Sequence, residues 1–165
     1  ISKVYFPRLI VPASSVIVSA VDFLISLALL ALLMLGYGFV PSYTILFMPF
    51  FFLLASLAAL GTGFWLSALN VKYRDFRYIV PFLVQFGLYV SPVGFSSSVV
   101  PERWRLLYSL NPMVGVIDGF RWCVQGTAES LYLPGFLISA AISILVFFSG
   151  VWFFRRTERF FADFI

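Results

Sequence analysis

The sequence predicts an all-α, polytopic membrane domain with four membrane-spanning helices and two short helices that lie at the membrane interface or dip into it. Three observations predict it. Hydrophobic residues make up 62% of the 165-residue chain and charged residues 11%, with a mean hydropathy of +1.02, against roughly 45–50% and about 25% in ordinary soluble domains. The apolar residues fall in long runs, and the basic residues fall between those runs. A soluble fold of this length has too little interior to hide so much apolar surface. The 11 Lys and Arg against 7 Asp and Glu would form a solvated patch in a nucleic-acid binder. Here they interrupt apolar blocks, which is a membrane-orientation signal, and no nucleic-acid partner is expected.

The first predicted span covers 12–36, where Asp22 is the only charge; about 20 apolar residues are enough to cross the hydrocarbon core. Residues 37–42, with Gly38 and Pro41, form an uncharged turn too short to hold a domain. The second span, 43–69, contains no ionisable residue except Tyr43 and completes an antiparallel hairpin. Residues 70–77, NVKYRDFR, are basic and belong in water. The third span is predicted over 78–95, with Pro81 and Pro92 tolerated where neighbours satisfy the freed carbonyls.

The stretch 96–132 is broken by Glu102, Arg103, Arg105, Asp118, Arg121 and Glu129, so neither half can span. Pro101 suits the first turn of a helix, Asn111-Pro112 interrupts, and Gly126 is a stop, which gives the two short helices. Trp104, Tyr108, Phe120 and Trp122 supply rings suited to headgroup depth. The fourth span, 133–154, is closed by Arg155, Arg156 and Arg159.

Eight of the basic residues lie in 1–11, 70–77 and 155–165 and three lie in 96–132. The positive-inside bias therefore places both ends and the 70–77 loop in the cytoplasm, and 37–42 and 96–132 outside it, in a bacterial inner membrane. The chain opens at Ile1 without an initiator Met or a signal-peptide pattern, and reads as a piece of a longer protein.

Little in the sequence suits catalysis. There is no His, and the single Cys123 cannot form an internal disulfide. None of Ser14, Ser15, Ser56, Thr62 and Ser67 has an activating base beside it, and Ala55, Ala58, Ala59, Gly61 and Gly63 suit close helix packing instead. No metal site and no enzyme site is expected. An intramembrane aspartyl protease would need two carboxylates in facing spans, and only Asp22 qualifies. Near mid-span, an ionised Asp22 costs about 2.5–3.5 kcal/mol, so it is expected to face protein or a wet cavity or to be neutral, lining a path or making a structural hydrogen bond. Asp118 and Arg121, three apart, share a helix face and can pair; the plain alternative is a surface pair worth little. Together with Trp104 and Trp122 these are the candidate path or gate residues.

The segments KVYFPRLIVPASS (Lys3–Ser15), LNVKYRDFRYIVPFLVQFGLYVSPVGF (Leu69–Phe95), LYSLNPMVGVIDGFRW (Leu107–Trp122) and FRRTERFFADFI (Phe154–Ile165) resemble the membrane subunit of type-2 ABC exporters. More narrowly they resemble the permeases that export polysaccharides or polyol-phosphate polymers such as O-antigen, capsule and teichoic acid. The resemblance implies a permease with six spans behind an interface helix, of which this chain supplies spans three to six. It also implies a second permease copy, two separate ATP-hydrolysing subunits and a lipid-linked glycan substrate, with the two short helices as gate helices.

No GxxxxGK[ST] loop is present, so ATP and Mg are expected in the partner subunit and no cofactor in this chain. Tyr5, Phe6 and Arg8, and Tyr73, Arg74 and Phe76, mix aromatic anchors with guanidinium groups and are the candidate ATPase contacts. The plain alternative is that these basic residues only fix topology. Other readings are a type-2 exporter of drugs or small lipids, and a secondary transporter, which would need Asp22 as its ion-coupling carboxylate.

Overall fold

In lipid an apolar run of about 20 residues can satisfy its own N–H and C=O groups only as a helix or within a closed barrel. The computed structural model, which describes residues 10–73, 75–126 and 131–161, takes the first solution throughout, and no strand occurs among the described residues. Three helices are long and apolar enough to cross a membrane. They are α1 (Ile10–Gly36), α2 (Met48–Lys72) with the 3₁₀ turn Tyr43–Phe47 before it, and α6 (Leu133–Phe161).

The predicted third span is a shorter helix, α3 (Phe76–Val90), of 15 residues. At 1.5 Å per residue it is about 22 Å long, against a hydrocarbon core of about 30 Å. It stops short of the predicted 95 because Ser91 precedes Pro92, a position driven to extended backbone, and Ser91 has φ −87° and ψ 147°. Two short helices follow as expected, α4 (Glu102–Tyr108) and α5 (Pro112–Gln125). Two other helices run past the ends of their predicted spans. α2 continues to Lys72, a cation favoured at a helix C-terminus, and α6 continues through Arg155 and Arg156, both good helix formers.

Local sequence explains the turns. After α1, Gly38 adopts φ +66°, the left-handed conformation that glycine enters without penalty. The Phe39 N–H then reaches Met34 O at 2.8 Å and the Gly38 N–H reaches Leu35 O at 3.2 Å, closing a Schellman end. α5 begins where the Asn111 side chain accepts from the Met113 N–H, with Pro112 behind it. It ends at Gly126, with φ +70° and its N–H bonded to Trp122 O at 2.8 Å.

The core is the seam between α2 and α6. These helices run parallel and side by side: Phe51 meets Phe136, Phe64 meets Phe147 and Phe154, and Trp65 stacks on Phe153 at 4.2 Å. Small residues let the backbones touch. A Cβ on Gly61 would lie 2.6 Å from Phe147 N, and one on Gly150 would strike the carbonyl of Gly61. Ala58 and Ala68 are buried beside them, whereas Ala59 is exposed and Gly63 meets nothing within 4 Å. Trp65 Nε1 donates to Ser149 Oγ at 3.1 Å, so the buried edge of its ring is satisfied.

α1 leans on α2 in the opposite direction through Phe23 and Phe52, stacked at 5.0 Å. Beside this contact an apolar groove of about 390 Å³ opens between Leu27, Met34 and Met48. The connection 37–42 and the insertion that begins at 91 leave the helices at one end of the bundle, the insertion face, and α2 passes to α3 at the other.

Candidate functional site

The insertion is held by polar contacts that begin with backbone chemistry. Thr44, buried at the start of the 3₁₀ turn, has its hydroxyl within 3.2 Å of Trp122 O and 3.1 Å of Cys123 O, carbonyls at the end of α5. Ser139 on α6 donates to Ser109 O at 2.8 Å and accepts from the Gly115 N–H at 3.2 Å, fixing the α4–α5 corner to α6. Gly115 and Gly119 permit this approach: a Cβ at Gly115 would lie 2.6 Å from Ser139 Cβ, and one at Gly119 would enter the Phe51 ring. Phe120 then wedges between Phe23, at 5.3 Å, and Phe51, at 6.2 Å. Phe23 lies thirteen residues from Gly36, about 20 Å along α1, so α5 reaches well below the end of that helix.

Asp118 is 5% exposed, so the Asp118–Arg121 pair is not the surface pair considered as the plain alternative. The carboxylate lies 3.6 Å from Arg121 Nη1. Burial holds the Asp118 carboxyl above its ordinary range; a side-chain hydrogen bond with Ser97 and the charges of Arg121 and Arg105 pull the other way without cancelling it. Burial also raises the Tyr108 phenol, and Asp118 adds to the shift. The cavity between Ser97, Arg105, Tyr108, Asp118 and Tyr132 measures about 20 Å³. That is room for one water-sized guest, far too little for a sugar or a lipid chain. The cluster ties α4 and α5 together as a joint of the insertion.

Arg121 makes its stronger contacts elsewhere. Its Nη2 donates to Pro92 O at 2.5 Å and to Val93 O at 3.1 Å, the carbonyls just past α3. Asn111 Nδ2 donates to Ser91 Oγ at 3.0 Å, and Ser91 and Pro92 are both buried. The helix these contacts tether has no buried residue of its own.

α3 carries an ordered set of rings. At about 100° per residue, Tyr78, Phe82, Phe86 and Tyr89 fall within roughly 80° of arc, with Gln85 at the edge of the same face. All five are exposed, and Phe82 and Phe86 are stacked with centroids 6.2 Å apart and planes at 16°.

A family model described as ABC-2 type transporter matches residues 2–124. The chain belongs to the ABC-2 type transporter family. This ABC-2 chain is similar to the O-antigen export system permease protein RfbA of Myxococcus xanthus, at 27% identity over 168 residues, covering 99% of this chain and 63% of that protein. Two Klebsiella pneumoniae proteins of the same name are 26% identical, covering 92% of this chain and 55% of the relative, and 25% identical, covering 99% and 62%. The chain thus spans less than two thirds of the curated relatives it matches. Its family and its apolar helices make it a multi-pass membrane domain.

The ABC-2 domain does not gather the residues singled out in the sequence into one place. Asp118 and Arg121 meet, and Trp122, on the same helix, packs on Phe47 and Phe51. Trp104 stands apart at 51% exposure with the Arg103 guanidinium 5.8 Å from its ring. Asp22 is exposed along α1, and its carbonyl accepts from Ser26 Oγ at 2.9 Å. Tyr73 is half-exposed, with Lys72 Nζ 5.3 Å from its ring and Phe76 beside it at 6.1 Å. Tyr5, Phe6, Arg8 and Arg74 lie outside the described residues.

Sequence reasoning missed Thr44, Ser91, Ser97, Ser109 and Ser139 as parts of the joint. Their partners lie twenty or more residues away in most cases, and no spacing rule announces them.

Proposed function

We propose that this ABC-2 domain belongs to a permease that passes a lipid-linked polysaccharide or polyol-phosphate polymer across the bacterial cytoplasmic membrane. A separate ATP-binding subunit, holding ATP and Mg, supplies the energy, and a second permease copy completes the path. In this reading α3, lengthened by its extended tail, is the fourth crossing. The insertion face is outside the cytoplasm, and 70–77 and both ends of the chain lie within it, as the distribution of basic residues favours.

The observation that carries the reading is the exposed ring face of α3: Tyr78, Phe82, Phe86 and Tyr89 beside Gln85. A helix that met only lipid would gain nothing from placing the Gln85 amide near mid-length, where polar groups are costly and mark pathways. Flat rings interleaved with hydrogen-bonding groups suit a sugar chain, which offers C–H faces and hydroxyls in alternation. The relatives' name, O-antigen export system permease, points to the same substrate class.

The test is complementation with the full-length protein in a strain lacking it, scored by surface polysaccharide. Phe82→Ala and Tyr89→Ala are expected to reduce export by about tenfold at normal abundance, a loss of the order of one interfacial anchor. Phe148→Ala, exposed on α6, is expected to leave it unchanged. Equal export by all three variants would remove the ring face from the path, and unaltered surface glycan in the deletion strain would remove the function itself.

A further inference from the structure

Resting on that reading, we propose that Arg121 is a positioning residue for α3: it clamps the end of the ring face to α5, so that helix and insertion move as one body. Three observations carry it. α3 has no buried residue of its own, so packing alone does little to fix its placement. Its end is nonetheless buried, at Ser91 and Pro92. The groups that hold this end are Arg121, on Pro92 O and Val93 O, and Asn111, on Ser91 Oγ, and both residues belong to the α5 segment.

The choice of residue follows from the acceptors. Pro92 O and Val93 O lie in the turn just past α3, beyond the backbone ladder of the helix, and each accepts from Arg121. Pro92 has no N–H with which to close the next turn. A guanidinium is permanently charged and planar: Nη2 reaches the two carbonyls while Nη1 is directed to Asp118 at 3.6 Å. A lysine ammonium is a point charge on a flexible stem and cannot hold that fork. Asp118 orients the guanidinium from behind, and Arg121 joins Asn111 in holding the end of α3 to the α5 segment.

The experiment uses the full-length permease co-produced with its ATP-hydrolysing subunit, with Val93→Cys in a Cys123→Ala background. Val93 is exposed, and changing its side chain leaves the carbonyl in place. Labelling by an impermeant maleimide reports release of the clamp and does not depend on the substrate. Arg121→Gln and Arg121→Lys are both expected to raise the labelling rate by about tenfold, the scale of one charge-assisted hydrogen bond. Both are expected to lower glycan export by a similar factor at equal abundance while ATP hydrolysis continues. Arg103→Gln, which removes a cation from the same insertion, is the matched control and is expected to change neither. Unchanged labelling in both Arg121 variants overturns the clamp, and faster labelling with full export overturns the positioning role. If deleting the permease leaves the surface glycan intact, the export reading has failed and labelling alone decides the clamp.

Discussion

Gly150 of α6 rests against the carbonyl of Gly61 in α2, so closely that a Cβ at either glycine would meet the other helix's backbone. Helices in lipid associate through packing at small residues, without a hydrophobic drive, so this contact fixes the α2–α6 seam. Gly61→Ala and Gly150→Ala are each expected to destabilise the domain by about 1–3 kcal/mol, the usual cost of overpacking. Gly63→Ala, facing open space, is expected to be neutral or slightly stabilising. Thermal unfolding of the full-length protein in detergent separates the two cases, and equal melting of all three variants would contradict the seam.

Thr44 tests how α5 is fastened. Thr44→Val keeps the shape but leaves Trp122 O and Cys123 O without the hydroxyl, and is expected to cost about 1–3 kcal/mol. Thr44→Ser keeps the donor and is expected to recover most of that loss. The readout is protease susceptibility of the insertion; identical susceptibility in both variants would show that the bond contributes nothing.

Gly126 combines a left-handed φ of +70° with a Cβ position 2.5 Å from Ser42 Cβ. Gly126→Ala is therefore expected to lower stability by about 1–3 kcal/mol, and Gly126→Asn by less through the backbone term, since Asn tolerates that conformation. Gly94→Ala, with nothing within 4 Å, serves as the comparison in the same melting assay.

Asp118 gives a pH dependence with a defined sign. Its carboxyl is raised by burial, so the folded insertion holds the proton to higher pH than the unfolded chain does. Stability associated with the group is full below the ordinary value of 3.8 and is lost as pH rises through the raised folded value. Asp118→Asn is expected to melt like the wild type at the acid end and to gain relative stability as pH climbs above that point. A difference that is constant with pH, or that runs the other way, would mean the carboxyl is not raised.

Sidedness is measured by labelling. Tyr73 and Val99 are both exposed in the structure, where α2 passes to α3 and on the insertion respectively. In a Cys123→Ala background, Tyr73→Cys is expected to be shielded from an impermeant thiol reagent in intact cells and Val99→Cys to react. The reverse pattern would invert the proposed orientation.

Much of the fold was legible because lipid makes length and composition decisive. The three long helices follow from apolar runs, and Asn111-Pro112 and Gly126 announced the bounds of α5 by their backbone chemistry. The end of α3 was misplaced because the apolar run continues through Val93 and Phe95, while the Ser91-Pro92 step breaks the helix first. The site was legible only in part. Spacing showed that Asp118 and Arg121 could share a face, but burial of Asp118 depends on Ser97 and Tyr108, which fold over it from other elements. The acceptors of Arg121 lie 28 and 29 residues back in sequence, at Val93 and Pro92. A side chain's reach across a fold leaves no periodic trace.

The parallel pairing of α2 with α6 also sets a timetable for synthesis. Lys72 and Leu133 are 61 residues apart, so at roughly 5–20 residues per second the ribosome completes α2 about 3–12 s before α6 begins to emerge. During that interval the small-residue groove around Ala58 and Gly61 has no partner, and any passing helix with a glycine or serine face can occupy it. Nascent chains stalled or truncated before α6 are thus the forms most open to mispairing and to capture by membrane proteases.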